Sequence, residues 1–138
     1  MSIYELTMQF MQKLDEAGFE YEDLGEGSIR VYCSGDNINS YDMVVTFGSS
    51  ETMQAHMMIH CYAYFNYNEK MYAGLNACNQ ANEDAAFARF SLDEDGDACA
   101  SAGTFYHDFD ADHALKFFGI VAVDIDDAYP FFAKAYWA

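Results

Sequence analysis

The chain has 138 residues, a length suited to one domain, and its 52% apolar and 17% aromatic content excludes a disordered tail. Its 23 acidic residues against 6 basic ones give a net charge of −17. A surface of that sign repels nucleic-acid backbones and anionic membranes, so neither is an expected partner.

A single domain over residues 1–138 is expected, with a core of methionine and aromatics, since the chain holds 8 Met, 12 Phe and 11 Tyr. Cys33, Cys61, Cys78 and Cys99 are widely spaced and contain no C-x-x-C. The start MSIYELTMQFMQKLDE lacks the basic beginning and apolar run of a signal peptide. The longest apolar run, Phe117 to Val123, is too short to span a bilayer. These features predict a cytoplasmic protein with reduced thiols.

Ser2 and Glu5 form a capping-box signature ahead of a helix whose apolar face is Ile3, Leu6, Phe10, Met11 and Leu14, ending at Gly18. From Phe19 the period changes to two. A short strand over Phe19 to Leu24 is followed by one with Ile29, Val31 and Cys33 inward and Arg30 and Tyr32 opposite. Ser34 to Ser40 reads as a loop, and Tyr41, Met43, Val45 and Phe47 as the buried face of a third strand. A Gly48-Ser49-Ser50 turn is expected before a long strand from Met53 to about Tyr67. His56, Met58, His60, Tyr62 and Tyr64 line one face of that strand.

Asn68 is the expected cap of a second helix with Met71, Leu75 and Cys78 as its stripe. Two strands, Ala86 to Leu92 and Asp97 to Tyr106, flank an Asp93-Glu94-Asp95-Gly96 hairpin turn. The small residues of the second predict a bulky cover, best supplied by the last helix. There, Leu115, Phe118, Ala122, Ile125, Tyr129, Phe132 and Tyr136 recur at alternating spacings of three and four. Pro130 interrupts this seam, at a cost of about 3 kcal/mol in a helix interior, because it has no N–H and its ring crowds the Asp126 carbonyl. The order α-β-β-β(-β)-α-β-β-α indicates an α+β domain, an antiparallel sheet covered by helices.

Three stretches carry a family resemblance: IRVYCSGDN at 29–37, NACNQANEDAAFARFSLDEDGDACASAGTFY at 76–106, and DIDDAYPFF at 124–132. In these the chain resembles the YbjN family of bacterial proteins, described as putative sensory transduction regulators, with a fold like that of type III secretion chaperones. The resemblance implies a regulatory or chaperone-like protein-binding role, a homodimer, and no established catalytic residues or cofactor.

Residue chemistry points the same way. There is no G-x-S-x-G, Walker loop, G-x-G-x-x-G or H-E-x-x-H. His56 and His60 share a strand face at roughly 13 Å, given about 3.3 Å per residue, too far for one metal. His107, Asp108, Asp110, Asp112 and His113 cluster before the last helix and are weak metal candidates; Asp110 or Asp112 also suits an N-cap. They carry the alternative reading of a small-molecule- or metal-responsive sensory domain. Asp93 to Asp97 resembles a calcium loop but lacks its spacing and its bidentate Glu. Asp124, Asp126 and Asp127 read as the solvated side of the helix. All four cysteines read as structural thiols, so no enzyme is expected. The expected partner-binding residues are Met58, Tyr62 and Tyr64 on the sheet and Phe131 and Trp137 on the last helix, with acidic flanks selecting a basic partner.

Overall fold

Ser2 is the cap that starts the first helix, α1 (Ile3–Ala17): its Oγ accepts from Glu5 N–H at 3.1 Å while the Glu5 carboxylate takes Ser2 N–H at 3.3 Å. Gly18 closes the helix at φ 83°, a left-handed turn that suits glycine. The computed structural model describes residues 1–50 and 54–138. Six strands follow the first helix: β1 (Glu20–Gly25), β2 (Ser28–Cys33), β3 (Tyr41–Ser50), β4 (Gln54–Cys61), β5 (Arg89–Leu92) and β6 (Ala98–Tyr106). Helix α2 (Met71–Asp84) lies between β4 and β5, and α3 (Ala111–Trp137) ends the chain. The sheet runs β1-β2-β3-β4-β6-β5 with every neighbouring pair antiparallel. The α+β order expected from periodicity is the observed one.

Several boundaries differ. Gly48, Ser49 and Ser50 do not turn; they continue β3, pairing with His56, Ala55 and Gln54. Met53, the expected start of the next strand, lies outside the described residues. That strand stops at Cys61, because the following segment leaves the sheet to meet the β5–β6 hairpin, with Tyr67 N–H bonded to Gly96 O at 2.7 Å and Ala98 N–H to Phe65 O at 3.1 Å. Asn68 caps nothing: α2 begins at Met71, after Lys70, and Asn68 N–H is tied to Asn66 Oδ1. The buried stripe of α2 is Gly74, Ala77, Cys78 and Ala81, leaving Met71 and Leu75 exposed, since the small residues let the helix approach Tyr67 and α3 closely.

All three helices lie on one face of the sheet. Phe10 of α1 meets Phe47 of β3 and Phe118 of α3, and Phe132 of α3 meets Phe90 of β5, whose cross-strand neighbour is Ala100. The bulky cover expected over the alanines of β6 is therefore α3. Its fully buried column is Ala114, Phe118, Val121, Ile125 and Phe132, with Ala128 nearly so; Leu115, Ala122, Tyr129 and Tyr136 of the expected seam flank that column, half-buried.

Asp124 and Asp126 are not solvated. Two residues apart on a helix, they point about 200° apart, and each clasps a different loop. The Asp126 carboxylate, only 7% exposed, accepts the N–H groups of Asp36, Asn37 and Ile38 at 3.0, 3.0 and 2.9 Å. Asp124 accepts Ala86, Phe87 and Ala88 N–H at 3.0, 2.8 and 2.9 Å. Successive amides converging on one anion form a nest. Gly35 completes the first, since a Cβ there would overlap the Asp126 carboxylate.

Pro130 stays inside an unbroken α3. Its missing N–H leaves the Asp126 carbonyl free of its helical partner, and Asn37 Nδ2 donates to that carbonyl at 3.1 Å. Three tyrosine hydroxyls add bonds to the same helix, from Tyr41 to Ala122 O at 3.1 Å, Tyr64 to Ile125 O at 2.6 Å, and Tyr67 to Phe132 O.

Replacing Asp126 by Asn turns one acceptor into a donor facing a buried N–H, a loss of about 2 kcal/mol. Asp124→Asn, at a wetter site, should cost about 1 kcal/mol. Urea denaturation of the two variants measures both; equal and negligible losses would refute the clasp.

Candidate functional site

With the helices on one face, the other face of the sheet is bare of cover by any described residue. Alternation along each strand decides which side chains stand there, and the strand registers align them in rows. One row reads Glu22, Arg30, Val44, His60, Ser101, Arg89 across all six strands. A second reads Ser28, Thr46, Met58, Gly103, and a third Gly48, His56, Phe105. Beyond the first row lie Glu20, Tyr32 and Asp42, then Cys99 and Ser91.

Four large side chains project from this face or its border: Tyr32 (43% exposed), Met58 (38%), Tyr62 (61%) and Phe105 (67%). Arg30 is held within it by Asp42 at 3.0 Å and Glu22 at 3.8 Å, and Tyr32 OH donates to Glu22 at 3.5 Å. The Tyr62 hydroxyl adjoins Cys99 and Asp93, whose negative charge holds its pKa above the usual tyrosine value. Arg89 reaches only the Ala88 carbonyl and makes no ion pair among the described residues.

The expected partner-binding residues divide. Met58 and Tyr62 stand on the bare side. Tyr64 does not: it stacks on Phe132 at 4.2 Å, and burial drives its pKa far above the tyrosine range. The chain leaves the sheet after Cys61, so the alternation that placed Tyr64 beside Tyr62 no longer applies. Phe131 is half-buried beside Ala81, Asp84 and Asp124, and Trp137 is 74% exposed at the end of α3, edge-on to Phe65 and Tyr136. Tyr32 and Phe105, not among the expected binding residues, join Met58 and Tyr62 on the bare side, on the opposite face from Val31 and Ala102.

Of the residues from 107 to 113, Asp110 and Asp112 serve the start of α3. Asp110 is the N-cap of α3, accepting from Asp112 N–H at 2.9 Å and His113 N–H at 3.4 Å, and Asp112 pairs with Lys13 at 3.0 Å. His107 and Asp108 line a separate hollow with Met1, Leu6 and Ser49. Among the described residues, the acidic groups that converge closely enough to hold an ion are Asp93, Asp95 and Asp97. Their oxygens serve the hairpin: Asp93 Oδ1 accepts Asp95 and Asp97 N–H, and Asp97 Oδ1 accepts Asn66 Nδ2, all within 3.0 Å.

The four cysteines are unpaired thiols. Burial pushes Cys33 and Cys78 up to about 11 and Cys61 to about 12, with Asp42 adding to the rise at Cys33 and Cys61. Such thiols are poor nucleophiles near neutral pH. No helix among the described residues is long and apolar enough to cross a membrane.

The sequence model of the YbjN family, described as "Putative bacterial sensory transduction regulator", matches residues 9–134. Its span contains all three stretches named above and both aspartate clasps. No curated protein matches the chain.

The thiols give a check on this geometry. At pH 8 a small disulfide reagent should titrate Cys99 of the bare face first and Cys33 more slowly, because burial raises its pKa, with Cys61 and Cys78 reacting only as the protein unfolds. Four equally fast thiols in the native state would contradict the arrangement.

Proposed function

The chain belongs to the YbjN family, and on that premise we propose that it is a non-enzymatic, cytoplasmic protein-binding domain with a regulatory or chaperone-like role, and that it forms a homodimer. The observation that carries this reading is the bare sheet face. An antiparallel sheet with one uncovered side normally shows polar residues to water. Here Tyr32, Met58, Tyr62 and Phe105 interrupt the polar residues, and large side chains of this kind are enriched at interfaces. Methionine adapts to irregular partners. The surrounding charge of −17 favours a partner segment that is apolar with basic flanks.

Catalysis has little support in the same geometry. Three thiols are held protonated by burial, and the acidic groups near residues 93 and 110 are engaged by backbone amides.

The test is comparative capture from the native host. Tagged wild type and a Tyr72→Asp control, altered on the outer face of α2, should recover the same partner, and Tyr62→Asp and Phe105→Asp should lose it. Recovery of one unchanged protein set by all four would remove this reading.

A further inference from the structure

We infer that the bare face docks a second copy of this chain, sheet against sheet, about a two-fold axis parallel to the strands between β3 and β4. The inference rests on the protein-binding reading above and assigns the homodimer its interface; a partner protein that uses the same face binds it by displacing the second copy.

The first argument is where the charge is. Two copies carrying −17 each repel one another over most of their surface. The bare face is the exception. Among the described strand residues only Glu20, Glu22 and Asp42 bring acid to it, and both arginines of the chain, Arg30 and Arg89, stand on it with His56 and His60.

The second argument is how the charge is distributed. The β1–β3 half holds the three acids and Arg30, whereas the strands of the β4–β6 half hold Arg89 and the histidines, with Asp93 at the border beside Tyr62. A two-fold axis along the strands exchanges β1 with β5, β2 with β6 and β3 with β4, and keeps each row in register. Glu22 then lies over Arg89 of the other copy, in the same row. A two-fold axis across the strands would lay β1 on β1 and oppose acid to acid. Glu and Arg side chains are long enough to bridge the roughly 10 Å between stacked sheets. Met58 and Thr46 fall beside the axis, and Tyr32 comes over the Cys99 and Ser91 border. Met58 already lies flat over Gly103, where a Cβ would meet its sulfur.

Size is adequate. Six strands spaced about 4.8 Å and some 20 Å long outline roughly 600 Å² per copy, or about 1,200 Å² in all. That is the lower end for specific interfaces, at about 1,200–2,000 Å². With Ser28, Thr46 and Ser101 among the buried groups, the association is reversible and sensitive to salt.

Sedimentation velocity of the purified full chain tests this. A monomer–dimer equilibrium is expected, looser at low salt and tighter as salt screens the repulsion between two copies of charge −17. Met58→Asp, or Ser101→Arg should the first disturb folding, should weaken it about 30-fold or more. Glu22→Arg and Arg89→Glu should each weaken it about 5-fold, and their combination should restore it by exchanging the two charges. A monomer at every concentration, or a dimer indifferent to Met58→Asp and Ser101→Arg, overturns the interface. A dimer that the combined exchange fails to restore overturns the axis. A persistent monomer that still captures a partner through Tyr62 and Phe105 would leave the protein-binding reading standing and remove this one alone.

Discussion

The carboxylate of Asp126 is the constraint on which most of the structure depends. It sits almost fully inside the protein, where an unpaired negative charge would cost several kcal/mol. Three successive amides of the β2–β3 loop meet it, and Asn37 reaches past it to the carbonyl that Pro130 leaves open. The proline and the aspartate therefore belong to one device. Without Pro130, the Asp126 carbonyl would be occupied within the helix; without Asn37, the proline would leave a buried acceptor unmet. Asp124 repeats the arrangement on the opposite side of α3, holding the segment that enters β5. The edge of the sheet is closed by the same logic, with the Asn82 side chain bonded to both N–H and C=O of Phe90.

The three stretches that carry the family resemblance are far apart in the chain but adjacent in space. Residues 35–38 receive Asp126, residues 86–88 receive Asp124, and both carboxylates come from residues 124–132. The span matched to the family, residues 9–134, contains the helix and both loops it clasps.

Elements with strong period were legible in the sequence. The Ser2–Glu5 cap, the alternation through β2 and β3, the Asp93–Gly96 turn and the seam of α3 could each be read locally. Those decided by contact were not. Gly48 looked like a turn because glycine usually weakens a strand, yet here its lack of a side chain leaves room for the His56 ring. Asn68 looked like a cap, but the segment before α2 is held by the hairpin at residues 95–98. Asp124 and Asp126 looked solvated because composition cannot tell a carboxylate facing water from one facing a row of amides. Tyr64 looked like a continuation of its strand, and only the departure of the chain at Cys61 reverses its direction. The outward face of the sheet was legible residue by residue, but that no helix covers it was not.

This bears on where function can reside. An aromatic terminal helix invites the role of a lid or a partner-binding arm. Yet α3 is held by two carboxylate clasps, three tyrosine hydroxyls and a buried column from Ala111 to Phe132. Moving it would expose Phe118, Ile125 and Phe132 together and strip both clasped loops. A mobile element is drawn from the weakly held parts of a structure, and α3 is among the most tightly held. The helix therefore fixes the sheet from one side, and its rigidity makes the opposite side a preorganised surface. A rigid surface loses little entropy on docking, so a modest set of exposed side chains around Met58 and Phe105 can suffice for association. On the reading proposed above, the most conspicuous stretch of the sequence serves function indirectly, by keeping the other face still.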